Sequence, residues 1–152
     1  MDFCIIEYEV FQLEENLSNE VDDYVQDNKY VQPQPPATEE EICDAENKLA
    51  VSFPSDLRTL LLEMNGDRYL CHSAEDIAKN NLSLRNAFEE FADLSCYLFV
   101  AGNGCGDYYC YRIDNGIVQS SPIYIWEHED FQSKVVAANL EDMIHLYYQD
   151  KI

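Results

Sequence analysis

The hydrophobic periodicity of this 152-residue chain changes near residue 97, and this change constrains the fold more than any other feature. Before that point, apolar residues recur every three or four positions, as they do along one face of a helix. After it they tend to alternate, in short segments rich in tyrosine, as they do in strands. Helices followed by a meander of strands, with one more helical segment at the end, predict an α+β fold.

The first half of the chain predicts a series of amphipathic helices. Residues 6–25 carry one apolar stripe at helical spacing, although Ile6, Tyr8 and Val10 also alternate and leave a short opening strand possible. Proline at three of seven positions makes residues 30–36 an extended connector.

Later helices are marked by residues that favour helix ends. Thr38 stands three residues before Glu41, which is the spacing of a capping box. Asn65 and Gly66 tolerate the left-handed backbone that often ends a helix. The predicted helices begin at Thr38, at Ser55, at Ser73 or Ala74, and at Asn139, and a further turn is expected over residues 88–94.

The second half predicts an antiparallel meander. A glycine-rich turn over residues 102–106 separates the first two strands. Asp114, Asn115 and Gly116 are typical of a tight hairpin turn, because their backbones tolerate positive φ. The predicted strands span residues 97–101, 108–113, 117–118 and 122–126.

Charge limits the classes of partner. Thirty acidic residues face nine basic ones, for a formal net charge of -21. Phosphates and anionic membrane surfaces would be repelled, so nucleic-acid binding and membrane binding are both disfavoured. A protein with a basic surface would instead be attracted and would associate rapidly. Improved solubility alone is the alternative explanation of this charge.

The cysteines favour a reducing compartment. No two of them have the C-x-x-C spacing of a zinc or redox site, so we expect reduced, buried thiols. Together with the absence of a signal sequence and of a long apolar run, this predicts a cytoplasmic protein with no bound metal or cofactor. The six residues are Cys4, Cys43, Cys71, Cys96, Cys105 and Cys110.

Two segments invite a catalytic or phosphate-binding interpretation. The glycine-rich turn fails as a phosphate loop, because a helix should follow it and here a second predicted strand does. The acidic run around His128, residues 126–130, lacks the ligand spacing of a metal site. Cys105 or Cys110 with His128 would be the candidates for nucleophilic catalysis, but no cysteine-enzyme signature is present. We therefore expect a protein that is not an enzyme.

Five segments resemble the SUKH superfamily, in its cell-wall-assembly-regulator branch, and they occur in the family's order. The resemblance covers about residues 36–148, and residues 68–93 contribute nothing to it. The segments are Pro36 to Leu49; Phe53 to Gly66; Phe99 to Ala101 with Gly104 to Asp107; Pro122 to Tyr124 with Trp126, His128 and Glu129; and Asn139 to Asp142.

The length of the chain predicts one domain over residues 1–152. It has an acidic N-terminal helix and connector at residues 1–35, and the family-like core lies at residues 36–148. The resemblance implies that its fold would be a curved, mainly antiparallel sheet with helices packed on it.

The resemblance also implies a role. Bacterial members are taken as immunity proteins that neutralise toxins delivered between competing cells, many of them nucleases, whereas eukaryotic members resemble regulatory or scaffolding proteins. A toxin with a basic, phosphate-binding cleft would suit a partner of charge -21, which favours a toxin-neutralising immunity protein. A regulatory or scaffolding module without a toxin partner is the alternative.

Partner binding is predicted on the sheet surface and loops of the second half. The exposed helix faces carry mainly mobile charges, which contribute little to affinity. The strand and loop region instead places aromatic rings beside carboxylates, the usual composition of a binding hot spot. A role of Asp107 in capping the glycine-rich turn and of Trp126 in the core is the alternative. The predicted contact residues are Asp107, Tyr108, Tyr109, Trp126, Glu127, His128, Glu129 and Asp130.

Overall fold

The computed structural model of the chain describes residues 32–67 and 69–152. The predicted helix over residues 6–25, its alternative as an opening strand, and Cys4 lie outside the described residues. The connector is described from Gln32, and its backbone runs extended beside the loop at Asn65, whose N–H donates to the carbonyl of Pro35 at 3.1 Å.

Each helix begins close to the position that the sequence predicts. Thr38 caps the first helix, because its Oγ1 accepts the N–H of Glu41 at 3.1 Å, and Ser73 and Asn139 cap two others in the same way. Ser55 does not cap: it is already the first helical residue, after Pro54. The helices are α1 (Glu39–Leu49), α2 (Ser55–Glu63), α3 (Ala74–Ala87) and α4 (Leu140–Tyr148), with a short 3-10 turn at Leu94–Cys96.

The strands form one antiparallel sheet in the order β1-β2-β4-β5, with β3 paired to the far end of β2. Asn115 and Gly116 have φ of 52° and 78°, which confirms the hairpin turn predicted between β2 and β3. The strand β5 was not predicted. The strands are β1 (Tyr97–Gly102), β2 (Tyr108–Asp114), β3 (Ile117–Val118), β4 (Ile123–Glu127) and β5 (Gln132–Ala137).

The two faces of the sheet bury different cores. One face packs against α1, α2, α4 and the first half of α3 through a large aliphatic core that includes Leu98, Tyr111 and Ile123. The other face carries a smaller aromatic cluster around Phe99 and Trp126, covered by the end of α3 and the turn after it. Most of the helical layer therefore lies on one face of an antiparallel sheet, which is the α+β arrangement.

A hydrogen bond across the aromatic face shows that the sheet is curved. Tyr97 on β1 and Ser133 on β5 share a hydrogen bond of 2.8 Å between their hydroxyl oxygens. In a flat sheet these strands would lie about 14 Å apart, at roughly 4.8 Å for each of three intervals. The strands must curl to bring these side chains together, which confirms the expected curved sheet.

Within the residues that the structure describes, no helix is long and apolar enough to cross a membrane. The longest, α3, has 14 residues, whereas a span needs about 20.

Candidate functional site

The predicted contact residues lie on β2, on β4 and on two turns next to these strands, and a hydrogen bond joins the two turns. Asp107 ends the glycine turn (residues 102–106), and His128 lies in the acidic turn (residues 127–131) that joins β4 to β5. The Nδ1 of His128 lies 2.7 Å from Asp107 Oδ1, which also accepts the backbone N–H of His128 at 3.1 Å. The hydrogen bond from His128 holds the pKa of the Asp107 carboxyl below its ordinary value.

Glycine is required where these two turns meet. Gly106 has a φ of +96°, and a Cβ on it would lie 3.0 Å from His128 Nδ1. Gly104 has a φ of +78°, but a Cβ there would meet nothing within 4 Å. Gly106 therefore permits close contact between the turns, whereas Gly104 only permits the left-handed backbone. The turn joins two antiparallel strands, in agreement with the rejection of a phosphate loop.

The acidic turn presents its carboxylates to solvent. Glu129 and Asp130 are exposed, and Asp130 Oδ1 accepts the N–H of Gln132 at 3.0 Å. Glu127 is half-buried and pairs with Lys134 Nζ at 2.9 Å. The turn therefore remains strongly negative even with one of its carboxylates paired.

Two of the predicted contact residues are core residues. Trp126 is fully buried and Tyr109 is 1 % exposed, so neither ring is available to a partner in this structure. Burial raises the pKa of Tyr109 to about 12. The physical reason is the pleat: Trp126 faces the aromatic cluster and Tyr109 faces the aliphatic core, and both faces of the sheet are covered. The alternative of a core role for Trp126 is correct, and Tyr109 shares that role.

The structure brings together the remaining predicted residues. Asp107 and His128 are in contact, and the exposed Glu129 and Asp130 continue from His128. Tyr108 is half-buried above Trp126, with ring centroids 6.5 Å apart, and it contacts His72 edge-on at 6.0 Å. Asp107 both caps the glycine turn and remains partly exposed, so the two interpretations of this residue are compatible.

A cleft of about 270 Å³ opens beside the glycine turn. One wall is the glycine turn itself, because glycines have no side chain to cover the backbone. The other wall is formed by Asp67 and residues 69–72. Asp67 holds that segment in place, because its Oδ1 accepts the N–H groups of Tyr69, Leu70 and Cys71. Its Oδ2 accepts the hydroxyl of Tyr148 on α4 at 2.6 Å. This anchor was not predicted, since nothing in the sequence near Asp67 indicates that Tyr148 is its partner.

Of the groups considered for catalysis, Cys105 is exposed in the glycine turn, whereas Cys110 is not accessible to solvent. Cys110 is fully buried in the aromatic face, and burial raises the pKa of its thiol far above the ordinary value. The imidazole of His128 is hydrogen-bonded to Asp107. His72 is largely buried, which lowers the pKa of its imidazole. Among residues 32–67 and 69–152, no three potential metal ligands converge.

Among the five cysteines that the structure describes, the expectation of burial is correct for Cys71 and Cys110. Cys43 and Cys105 are exposed and Cys96 is half-buried, because they lie on a helix surface, in the glycine turn and in the 3-10 turn. All five described cysteines are free.

Phe91 and Phe131 were not among the predicted contact residues. Phe131 ends the acidic turn, and Phe91 lies next to it in the fold. Phe91 is 72 % exposed and stacks on Phe131, with centroids 6.4 Å apart and planes within 5° of parallel. Phe131 in turn contacts Phe88 at 5.4 Å and Trp126 at 5.9 Å. A single exposed phenylalanine in a sequence gives no signal of this kind, because the stack joins segments 40 positions apart.

Comparisons with known proteins agree with the resemblance found in the sequence. No curated protein matches this chain. A family model, described as the SMI1 / KNR4 family (SUKH-1), matches residues 36–145, which is well over half of the chain. The match begins at the connector before α1 and ends within α4, so it spans α1 to α3, all five strands and the first part of α4. This chain therefore belongs to the SMI1 / KNR4 family, SUKH-1.

Proposed function

We propose that this protein is an immunity protein that binds and neutralises a toxin with a basic surface. The observation that carries the proposal is the family match over residues 36–145, because such immunity proteins are expected among its members. The net charge of -21 supports the choice of a basic partner, since opposite charge accelerates encounter and disfavours wrong partners.

The acidic turn is the part of the surface best suited to this role. Its three carboxylates and that of Asp107 project from two turns that the His128 contact holds together. Carboxylates held on a rigid scaffold imitate the phosphates that a nuclease cleft binds, and they lose little conformational freedom on binding. The partner would then be blocked by occupation of its cleft, without a chemical step.

Co-expression tests this proposal. The C-terminal domain encoded by the neighbouring gene is expressed in a bacterial host with and without this protein, and survival is scored. We expect the domain to be toxic alone and harmless beside the wild-type protein. Toxicity that the wild-type protein does not relieve would contradict the proposal.

A triple variant locates the contact. Changing Glu127, Glu129 and Asp130 to Ala should weaken binding by about 2–5 kcal/mol, mostly through faster dissociation. The matched control changes Glu40, Glu75 and Asp76, three exposed carboxylates of α1 and α3, to Ala and removes the same charge. Both variants are first shown to melt as the wild type does. Equal affinity of the two folded variants would exclude the acidic turn as the contact.

A regulatory or scaffolding role is the second candidate, since the name of the family fits it as well. Such a module would use the same kind of surface to bind a partner that is not toxic. A neighbouring gene whose product binds this protein tightly but does not harm the host would favour it.

A further inference from the structure

An aromatic stack extends from the core of this protein to its surface. Trp126 is fully buried, Phe131 is half-buried against it, and Phe91 lies on Phe131 with 72 % of its surface in solvent. Val135 on β5 is 58 % exposed. It lies on the same face of the sheet as Trp126, because it pairs with Tyr124 on β4. Scattered apolar residues on a surface are ordinary, but a continuous aromatic stack leading out of the core is not.

The backbone at Phe131 is held in an unfavourable conformation. Its φ is 59°, which is rare for a bulky side chain and disfavours the folded state. The N–H of Phe131 donates to the carbonyl of Glu127 at 2.9 Å, so the turn closes on itself and directs the ring toward Phe88 and Phe91. Strain of this kind persists only where surrounding contacts hold it, and it is over-represented at binding and active sites.

Acidic residues flank both exposed members of the stack in the sequence. The chain around Phe91 carries Glu89, Glu90 and Asp93, and the chain before Phe131 carries Glu127, Glu129 and Asp130. Neither segment, 88–94 or 127–133, contains a lysine or an arginine. The adjacent Lys134 pairs with Glu127. Apolar rings inside an acidic rim complement a basic surface that contains an apolar pocket.

We propose that Phe91, supported by Phe131, is the anchor that inserts into the basic partner protein. The inference rests on the proposed function and specifies where the partner docks. The stack fixes the Phe91 ring before binding, so little side-chain freedom is lost when the ring enters a pocket. The surrounding carboxylates meet the basic rim of that pocket. Binding thus centres on the junction of the 88–94 turn and the acidic turn.

The test measures the affinity of the full-length chain for the C-terminal domain encoded by the neighbouring gene. The variants are Phe91→Ser and, as a matched control, Ile117→Ser. Ile117 is 67 % exposed on β3 and outside the aromatic cluster, so its change removes a similar apolar surface elsewhere. We expect Phe91→Ser to raise the Kd about 30-fold or more, Ile117→Ser to change it less than about 3-fold, and Phe91→Trp to retain binding.

The other outcomes are separable. If the wild type binds but Phe91→Ser binds equally well, the anchor is wrong and the proposed function stands. If the wild type does not bind the domain, the proposed function fails and the anchor fails with it.

Two further measurements distinguish other occupants of this surface. A large loss of melting temperature in Phe91→Ser would mean that the chain itself covers the ring. Sedimentation that shows a wild-type dimer and a Phe91→Ser monomer would assign the surface to a second copy. Either result would overturn the proposal.

Discussion

Asp56 is a carboxyl group in a buried position, with 8 % of its surface exposed. It lies in the first turn of α2, where its Oδ1 accepts the hydroxyl of Tyr111 at 3.1 Å and the N–H of Leu57 at 2.9 Å. It also lines a polar cavity of about 350 Å³ between the starts of α2 and α4, away from the predicted contact residues. Burial is the dominant effect and raises the pKa of Asp56 above its ordinary value of 3.8.

The change Asp56→Asn is expected to stabilise the protein at neutral pH. A raised pKa means that the folded state holds this proton more tightly than the unfolded chain does, so ionisation of Asp56 opposes folding. The stabilising contribution of the protonated form is complete below about pH 3.8 and is lost as the pH rises through the folded pKa. Asparagine removes the buried charge and still offers an oxygen to Tyr111.

Thermal melting from pH 8 to pH 4 checks this prediction. We expect Asp56→Asn to melt a few degrees above the wild type at pH 8, with the difference shrinking as the pH falls. Asp142→Asn is the control, because it removes an exposed charge from the first turn of α4. A destabilised Asp56→Asn protein, or a difference independent of pH, would contradict the assignment.

At the scale of elements, the edge of the sheet at β1 is covered by a helix. The side chain of Asn81 on α3 accepts the N–H of Phe99 and donates to its carbonyl, both at 2.8 Å. Arg85, one turn later, donates to the carbonyl of Tyr97 at 3.1 Å. These side chains replace a neighbouring strand, so the outer edge of β1 is not open to another chain.

Replacing Asn81 should therefore destabilise the fold strongly. Asn81→Ala leaves the N–H and the carbonyl of Phe99 buried without partners, and each such group costs about 1–3 kcal/mol. We expect urea unfolding to show a loss of about 2–4 kcal/mol. Asn86→Ala, an exposed change on the same helix, should stay within about 0.5 kcal/mol. A loss below 1 kcal/mol for Asn81→Ala would mean that water replaces the amide and that α3 does not protect the edge.

At the scale of the whole molecule, the net charge governs how a partner approaches. At a charge of -21, long-range attraction to a basic protein should dominate the association rate. Salt shortens the range of that attraction from about 10 Å at 0.1 M to about 3 Å at 1 M.

If the proposed function holds, the association rate with the C-terminal domain encoded by the neighbouring gene should therefore fall about 10- to 100-fold between 0.05 and 1 M salt. The dissociation rate should change much less, because it depends on contacts already formed. Stopped-flow mixing at several salt concentrations measures both rates. An association rate that does not depend on salt would exclude electrostatic steering, although binding itself would remain possible.

The order and type of most elements could be predicted from local pattern alone. Helix caps at Thr38, Ser73 and Asn139 are local, since each side chain bonds a backbone group three residues away. The turn at Asn115 and Gly116 is also local, because it depends on the positive φ that these two residues tolerate. The strand β5 was not predicted, because its solvent-facing residues break the apolar alternation that is typical of a strand. Its pairing with β4 is what defines it.

The candidate site depended on contacts that no local pattern contains. The sequence determined that acidic and aromatic residues would occupy the loops of the second half, since composition and turn signals suffice for that. Only the tertiary structure decided which of them face solvent. The pleat and the cover on both faces of the sheet bury Tyr109 and Trp126. The turn over residues 88–94 leaves Phe91 exposed, and the contact between the glycine turn and the acidic turn pairs Asp107 with His128. Burial and pairing across tens of residues depend on how the sheet curves and what packs on it, and that information exists only in three dimensions.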